Sequence, residues 1–131
     1  MMKEQILLFH FEDAERLSAL RKALLPLHIA CKVVDEADWN TPIGTLVGLE
    51  AAPQEGLESA ELTEEVLVLC GLTDAGIQQV LMALRKAGLY IPYKASLTAT
   101  NKDWTAPQLF FELYQEHQAM LAYQQSKHEQ N

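Results

Sequence analysis

The hydrophobic positions of this chain form four short segments with two kinds of pattern. Ile6–Phe11 has the sequence ILLFHF and Val66–Cys70 has the sequence VLVLC, so both are apolar almost throughout. Such runs predict strands that are buried on both faces. His28–Asp35 and Tyr93–Thr98 alternate apolar and polar residues instead, which is typical of strands with one exposed face. We therefore expect two central strands and two edge strands.

Between the strands of each pair lies a segment with helical spacing. Glu12 and Asp13 open the first helix, because acidic side chains suit the positive end of the helix dipole, and Pro26 ends it. Thr73 is the predicted cap of the second helix, and Gly88 follows its last turn in the position that favours a left-handed residue. The apolar stripe of the first helix is Leu17, Leu20 and Leu24.

The second half of the chain repeats the first. Leu17–Ala23 (LSALRKA) and Leu81–Ala87 (LMALRKA) agree at six of seven positions. Fifteen residues after Ala23 comes Asp38-Trp39-x-x-Pro42, and sixteen residues after Ala87 comes Asp103-Trp104-x-x-Pro107. These are the only two tryptophans in the chain. We interpret residues 1–131 as a single domain with internal repeats over about 5–49 and 65–113.

Two tandem βαβ repeats predict an α+β, ferredoxin-like βαββαβ fold with an antiparallel four-stranded sheet. In that fold the first and third strands are central, and the two helices cover only one face of the sheet. A C-terminal helix over about 106–127 is predicted to cover part of the other face, and the segment after Pro42 or a partner subunit could complete the cover. The apolar stripe of this helix is Leu109, Phe110, Leu113, His117, Met120 and Leu121.

The formal net charge of −8 is unevenly distributed. Residues 33–84 contain ten Asp or Glu and no Lys or Arg. This acidic middle would repel phosphate backbones, so nucleic-acid binding is not expected. The six glutamates of the segment about 50–65 mark an acidic loop, which we expect to be mobile. The apolar runs are too short for a membrane span and the N-terminus has no signal-peptide pattern, so we expect a cytoplasmic location.

The residues that usually carry chemistry form no recognised motif. Cys31 and Cys70 lie in apolar strand patterns and are interpreted as buried free thiols, and His10 as a hydrogen-bonded core histidine. No metal-ligand spacing, phosphate-binding glycine loop or nucleophile motif occurs, so we predict no catalytic residue, no metal site and no cofactor. The four histidines, none at paired spacing, are His10, His28, His117 and His128.

The two Asp-Trp turns are the candidate ligand site. A structural interpretation makes Thr105 and Gln108 a capping box, with Trp104 packed on the following helix. A functional interpretation places a ligand groove between the turns, with tryptophan as a stacking surface and aspartate as an acceptor. The candidate ligand-binding residues are Asp38, Trp39, Thr98, Thr100, Asn101, Asp103 and Trp104.

Two basic pairs occupy the last turns of the equivalent helices. They are Arg21-Lys22 and Arg85-Lys86. Cations at these positions complement the negative end of the helix dipole. A symmetric pair of anion-binding sites is the alternative interpretation.

Three segments of the C-terminal half resemble an uncharacterised bacterial family, domain of unknown function 3783. They are the helix Gly76–Leu89, the string Leu97–Thr105 (LTATNKDWT), and the later helix that carries Glu116 and His117. The resemblance covers roughly the last 65 residues, and the N-terminal half is similar to a degenerate copy of the same unit. It implies no activity that can be transferred to this chain.

Together these patterns predict a non-catalytic cytoplasmic module for protein interaction or small-ligand sensing, as a homodimer or with a protein partner. The alternative is a small enzyme or ligand-binding protein that uses the Asp-Trp turn after the fourth strand.

Overall fold

The structure, a computed structural model, describes residues 2–129, and the side chains of residues 2–127. Short 3₁₀ turns at Leu25–Leu27, Glu36–Asp38 and Asn101–Asp103 connect the main elements. The strands are β1 (Gln5–Phe9), β2 (Ala30–Val33), β3 (Val66–Cys70) and β4 (Tyr93–Ser96), and the helices are α1 (Ala14–Leu24), α2 (Ile43–Leu46), α3 (Asp74–Lys86) and α4 (Ala106–Glu129).

The four strands form one mixed sheet in the order β2-β1-β3-β4. Strand β1 pairs in parallel with β2, with Leu7 opposite Lys32, and β3 pairs in parallel with β4, with Val68 opposite Ala95. The two central strands are antiparallel, with Leu7 opposite Val68. The prediction of an α+β fold with β1 and β3 at the centre is confirmed. The predicted antiparallel, ferredoxin-like sheet is wrong, because two of the three pairings are parallel.

The error has a simple physical cause. A ferredoxin-like sheet places another strand between the two strands that a helix connects, whereas here each helix connects direct neighbours. Both arrangements put the first and third strands at the centre. Burial patterns report whether a strand is central or at an edge, and they do not report which edge strand lies beside which central strand.

Helices α1 and α3 cover one face of the sheet. Ile6 and Leu8 of β1 and Leu67 and Leu69 of β3 point to this face and are buried. The helices meet them through four buried side chains at the spacing of a helix face, namely Leu20, Leu24, Val80 and Leu84.

The other face is covered within the same chain. Leu7, Phe9, Val66, Val68 and Cys70 form its floor. Three separate segments lie over it: α2, the acidic loop and the first turns of α4, through Ile43, Leu62, Leu109 and Phe110. A partner subunit is therefore not needed to cover this face, and a homodimer or a protein partner stays a prediction that needs another surface.

Local sequence signals account for the helix ends. The Asp13 carboxylate accepts from the backbone N–H of Glu15 at 2.9 Å, and the Thr73 hydroxyl accepts from that of Gly76 at 3.0 Å. Gly88, just beyond α3, has a φ of 72°. The predicted capping box at the start of α4 is confirmed, because the Thr105 N–H donates to Gln108 Oε1 at 2.8 Å. Among residues 2–129, no helix has the length and apolar composition needed to cross a membrane.

Candidate functional site

The two Asp-Trp turns meet through reciprocal backbone hydrogen bonds, and both tryptophans pack against the sheet face opposite α1 and α3. The Ile43 N–H donates to the Trp104 carbonyl at 2.8 Å, and the Ala106 N–H donates to the Trp39 carbonyl at 3.2 Å. Gly44 lies so close to the second turn that a Cβ on it would be 2.9 Å from the carbonyl oxygen of Lys102. The duplicated motifs therefore join the two halves of the molecule.

A cleft of about 490 Å³ opens beside the first turn. Its walls come from the end of β1, the first Asp-Trp turn, the acidic loop and the start of α4. This volume lies within the range of small-molecule sites. The lining residues are His10, Glu12, Glu36, Trp39, Asn40, Ser59, Ala60, Glu61, Leu62 and Pro107.

His10 has an unusual backbone conformation at the edge of this cleft. Its φ is 65°, in the left-handed region that few residues other than glycine adopt. Its ring stacks on the indole of Trp39 at 5.5 Å between centroids, and its Nε2 lies 4.0 Å from Glu12 Oε1. The equivalent residue after β3 is Gly71, with a φ of 75°. The first copy thus has an imidazole in the cleft where the second copy has no side chain.

The remaining lining gives the cleft a negative charge. Glu12, Glu36 and Glu61 are exposed at its rim, and none of the described residues that line it is a Lys or Arg. The indole N–H of Trp39 donates to the Val34 carbonyl at 3.2 Å, which holds the ring in place. The cleft therefore combines a positioned aromatic surface with three carboxylates.

The polar residues of the second turn bond mostly to one another. Asn101 is buried, and its side-chain amide accepts from the Thr98 N–H at 2.8 Å and donates to the Ser96 carbonyl at 2.9 Å. The Thr98 hydroxyl accepts from the Asn101 N–H at 3.0 Å. Thr100 directly precedes the 3₁₀ turn and makes no side-chain capping bond. These contacts stabilise the turn, and the predicted ligand-binding role of the three residues stays a prediction.

Asp103 anchors the acidic loop. Its Oδ1 accepts from the Ala52 backbone N–H at 2.9 Å and from Lys102 Nζ at 3.1 Å. The bond from Ala52, followed by that from Lys102, lowers the pKa of Asp103. Lys102 Nζ also donates to the Glu50 carbonyl at 2.8 Å. The second turn therefore holds the start of the loop, while the Ala60 N–H bonds to the Pro107 carbonyl at 3.2 Å further along.

The other predicted site residues are spread around the two turns. Trp39 lines the cleft, whereas Asp103 and Trp104 are not among its lining residues. Asp38, beside Trp39, is exposed. The indole N–H of Trp104 is buried and has no protein partner within the described residues. A ligand role for Asp38, Asp103 and Trp104 stays a prediction.

Sequence reasoning missed most residues of the cleft. His10 was expected inside a buried strand, but β1 ends at Phe9 and the ring reaches the cleft. Alignment of the two repeats would have indicated this, because His10 corresponds to Gly71 at the end of an equivalent strand. No local pattern marks Glu12, Glu36 and Glu61, which are separated in sequence and come together only in the fold.

Cysteines and histidines are the other residues that could bind a metal, and His28 and Cys31 line one small crevice. Cys31 and Cys70 are free thiols, Cys31 partly exposed and Cys70 buried, as predicted for Cys70. Burial raises the pKa of the Cys70 thiol to about 12. Among the described side chains, which exclude that of His128, no three His, Cys, Asp or Glu residues are grouped so that they could hold a metal ion.

Comparisons with known proteins give one match. Comparisons with curated proteins and with solved structures found no significant match to this chain. A family model described as "Domain of unknown function (DUF3783)" matches residues 65–120. This range begins just before β3 and extends into α4. The C-terminal half of the chain, from residue 65 to residue 120, is therefore a DUF3783 domain, as the resemblance of its sequence indicated.

Proposed function

We propose that this protein is a non-catalytic binding module whose cleft at Trp39 takes a small organic cation, such as an amine or a guanidinium compound. One observation carries the proposal: the cleft has three rim glutamates and no Lys or Arg in its lining. Carboxylates on one side of a concave site raise the local concentration of cations. The net charge of −8 adds to this attraction.

Trp39 supplies the second element of recognition. A cation within about 6 Å of an indole centroid gains roughly 0.5–2 kcal/mol from the ring quadrupole. The bond from Trp39 to the Val34 carbonyl and the stacked His10 ring position the indole before a ligand arrives. A positioned ring loses little side-chain entropy on binding.

Fluorescence titration tests the proposal. In a Trp104→Phe variant Trp39 is the single tryptophan, so its emission reports on the cleft. We expect agmatine, putrescine or choline to change this emission with a Kd at or below about 1 mM, which corresponds to roughly −4 kcal/mol. The apparent affinity is expected to fall as salt concentration rises.

Charge variants locate the binding. Glu61→Gln and Glu36→Gln should each weaken binding by up to about fivefold, as loss of one exposed charge contact of up to about 1 kcal/mol implies. Glu58→Gln is the matched control, because Glu58 belongs to the same loop but does not line the cleft. Equal losses for the control and the two rim variants would refute the proposed site. Chemical conversion of a bound amine would instead support a small enzyme, with His10 and Glu12 as the groups to test.

A second candidate function, self-association through α4, has a separate basis. The ten residues His117–Ser126 contain no Asp, Glu, Lys or Arg, although 21% of the chain is charged. Met120, Leu121 and Tyr123 on this segment are 51%, 45% and 67% exposed. The centres of protein interfaces typically have few charged residues and are enriched in Met and aromatic side chains such as Tyr.

An antiparallel pair of α4 helices would suit this segment. Pairing about a two-fold axis near Leu121 sets the uncharged segment of one chain against that of another. It also brings the acidic first half of α4, with Glu112 and Glu116, toward the end of the partner helix that carries Lys127. Such a pair would be isologous, as in most homodimers.

Native mass spectrometry and light scattering test the dimer. We expect a dimer at micromolar concentration, and a monomer for the double change Met120→Glu and Leu121→Glu. The control Gln118→Glu with Gln125→Glu adds the same charge elsewhere on the exposed helix. A monomeric wild-type protein at all concentrations would remove this candidate.

A further inference from the structure

The internal duplication creates two equivalent crevices, each between a helix and the edge strand that follows it. In the first copy the crevice lies between α1 and β2 and measures about 250 Å³. In the second it lies between α3 and β4 and measures about 450 Å³. Residues of the two crevices can be compared one by one. Cys31 pairs with Ile6, the second residue of β1, and Lys94 pairs with Leu67, the second residue of β3.

Two differences between the copies enlarge and charge the second crevice. Leu24, which is buried in the first copy, corresponds to Gly88, which has no side chain to fill the space. Cys31 corresponds to Lys94, so the second crevice gains a cation at its strand wall.

The arginines at equivalent helix positions are bonded differently. In the first copy, Arg21 Nη1 donates to the Cys31 carbonyl at 3.2 Å. In the second copy, the side chain of Arg85 has no hydrogen bond or ion pair among the residues that the structure describes. Its guanidinium is therefore available to a ligand in the crevice, and the anion-binding pair considered from the sequence is not symmetric.

Lys94 is the second available cation. Its side chain is half-buried, and its Nζ donates to the Ile91 carbonyl. It forms no ion pair with a carboxylate in the described part of the chain. Burial lowers the pKa of Lys94, the direction expected for an ammonium that loses water without a nearby carboxylate.

The rest of the crevice is apolar. Leu81, Leu84, Leu89 and Ile91 form its wall and floor, and Tyr90 lies at its edge. A ligand that suits this lining needs an apolar body as well as a negative group. Arginine and a carboxylate match in geometry, because the planar guanidinium can donate two parallel hydrogen bonds.

We propose that the crevice between α3 and β4 binds a small-molecule carboxylate with an apolar body, with Arg85 and Lys94 as its charge partners. The site belongs to the DUF3783 half of the chain. It shares no lining residue with the cleft at Trp39, so the two proposed sites can be tested independently.

A titration monitored by ¹H–¹⁵N NMR on the full chain tests this proposal. Hexanoate and phenylacetate are the probes, hexanol and phenylethanol are their uncharged counterparts, and inorganic phosphate is an anion without an apolar body. We expect the carboxylates to shift the amide signals of residues 85–94 at concentrations at least tenfold below those the alcohols or phosphate require. Equal binding of hexanoate and hexanol, or of hexanoate and phosphate, would overturn the proposal.

Matched variants assign the charge partners. Arg85→Met and Lys94→Met are each expected to weaken hexanoate binding at least tenfold, and Lys94→Arg to retain most of it. Arg21→Met, at the equivalent position of the first copy, should leave binding unchanged. A similar loss of hexanoate affinity in the Arg21 and Arg85 variants would mean that only the net charge of the protein matters, and the assigned site would be wrong.

Discussion

Gly44 is a residue at which the two copies approach each other closely. Its position in the short helix α2 brings its backbone against that of Lys102 in the second Asp-Trp turn. A side chain at this position would push the turns apart, and the first of these turns forms part of the wall of the candidate cleft. The small size of one residue is thus a condition for joining the two halves.

We predict that Gly44→Ala destabilises the protein by about 1–3 kcal/mol, the usual cost of forcing an extra methyl group into a packed site. The added Cβ would lie 2.9 Å from a backbone oxygen, which cannot rotate away. Chemical denaturation measures the change. Gly76→Ala is the control, because its Cβ would meet only ordinary contacts at 3.4 Å or more and alanine is the better helix former. An equal loss in both variants would contradict the argument from close approach.

Cys70 makes a prediction about alkaline pH. Burial raises its pKa from 9.0 to about 12, whereas the unfolded thiol ionises near its ordinary value. Between these values the unfolded state binds fewer protons than the folded state, so the free energy of unfolding falls as pH rises from about 9 to 12. Below pH 9 this contribution is fully present. A Cys70→Ser variant should show a shallower fall over the same pH range when unfolding is measured by denaturant titration, and an identical slope would contradict the assignment.

At the scale of elements, the acidic loop is the segment that the sequence predicted to be mobile and that the structure attaches to its neighbours. Residues 50–65 contain no helix or strand, as expected. The loop is nevertheless attached at several places, among them Ala52 to Asp103, Ala60 to Pro107, and Leu62 to the core. Its mobility stays a prediction. The attachments explain how an acidic loop contributes a wall to a defined cleft.

We predict that Asp103→Asn loosens the start of this loop. The change removes the charge that accepts from the Ala52 N–H and from Lys102, so hydrogen exchange at Ala52 should become faster. The same contacts lower the pKa of Asp103, so in the wild-type protein the anchor holds at neutral pH and weakens as pH falls through that lowered value. Asp38→Asn is the control, because Asp38 occupies the equivalent position of the first copy and is exposed. An unchanged rate of hydrogen exchange at Ala52 in the Asp103 variant would show that Asp103 does not hold the loop.

At the scale of the whole molecule, an ion pair links helix α1 of the first copy to the start of β3 in the second. Arg16 of α1 holds the Glu65 carboxylate, which immediately precedes β3, through its Nε at 3.0 Å and its Nη2 at 2.7 Å. The same Nη2 donates to the Tyr90 carbonyl at 3.0 Å. The pair is partly exposed, with 34% and 19% of the two side chains accessible. Water therefore screens part of the attraction.

We predict a coupling energy of about 1 kcal/mol between Arg16 and Glu65, the upper end for exposed pairs, because Nε and Nη2 bond to different carboxylate oxygens. A double-mutant cycle with Arg16→Met and Glu65→Gln measures it by denaturant unfolding. The same cycle with Glu64→Gln is the control, since Glu64 is an exposed neighbour. Equal coupling in both cycles would show that the effect is only long-range charge.

Much of this molecule follows from local sequence alone. The helix ends at Asp13, Thr73 and Gly88, and the capping box of Thr105, are local because each depends on hydrogen bonds within a few residues. Burial of β1 and β3 follows from composition, since strands with apolar side chains on both faces need cover on both faces.

The tertiary structure alone decided the direction of the strands and the position of the cleft. Strand pairing depends on contacts between residues far apart in the chain, and the same burial pattern fits a ferredoxin-like sheet and the observed order β2-β1-β3-β4. The cleft brings together His10 and Glu61, which are 51 residues apart in the chain, and no spacing in the sequence encodes that approach. Local hydrogen bonds and burial can be predicted from a single sequence. The contacts between distant segments are determined only when the whole chain packs.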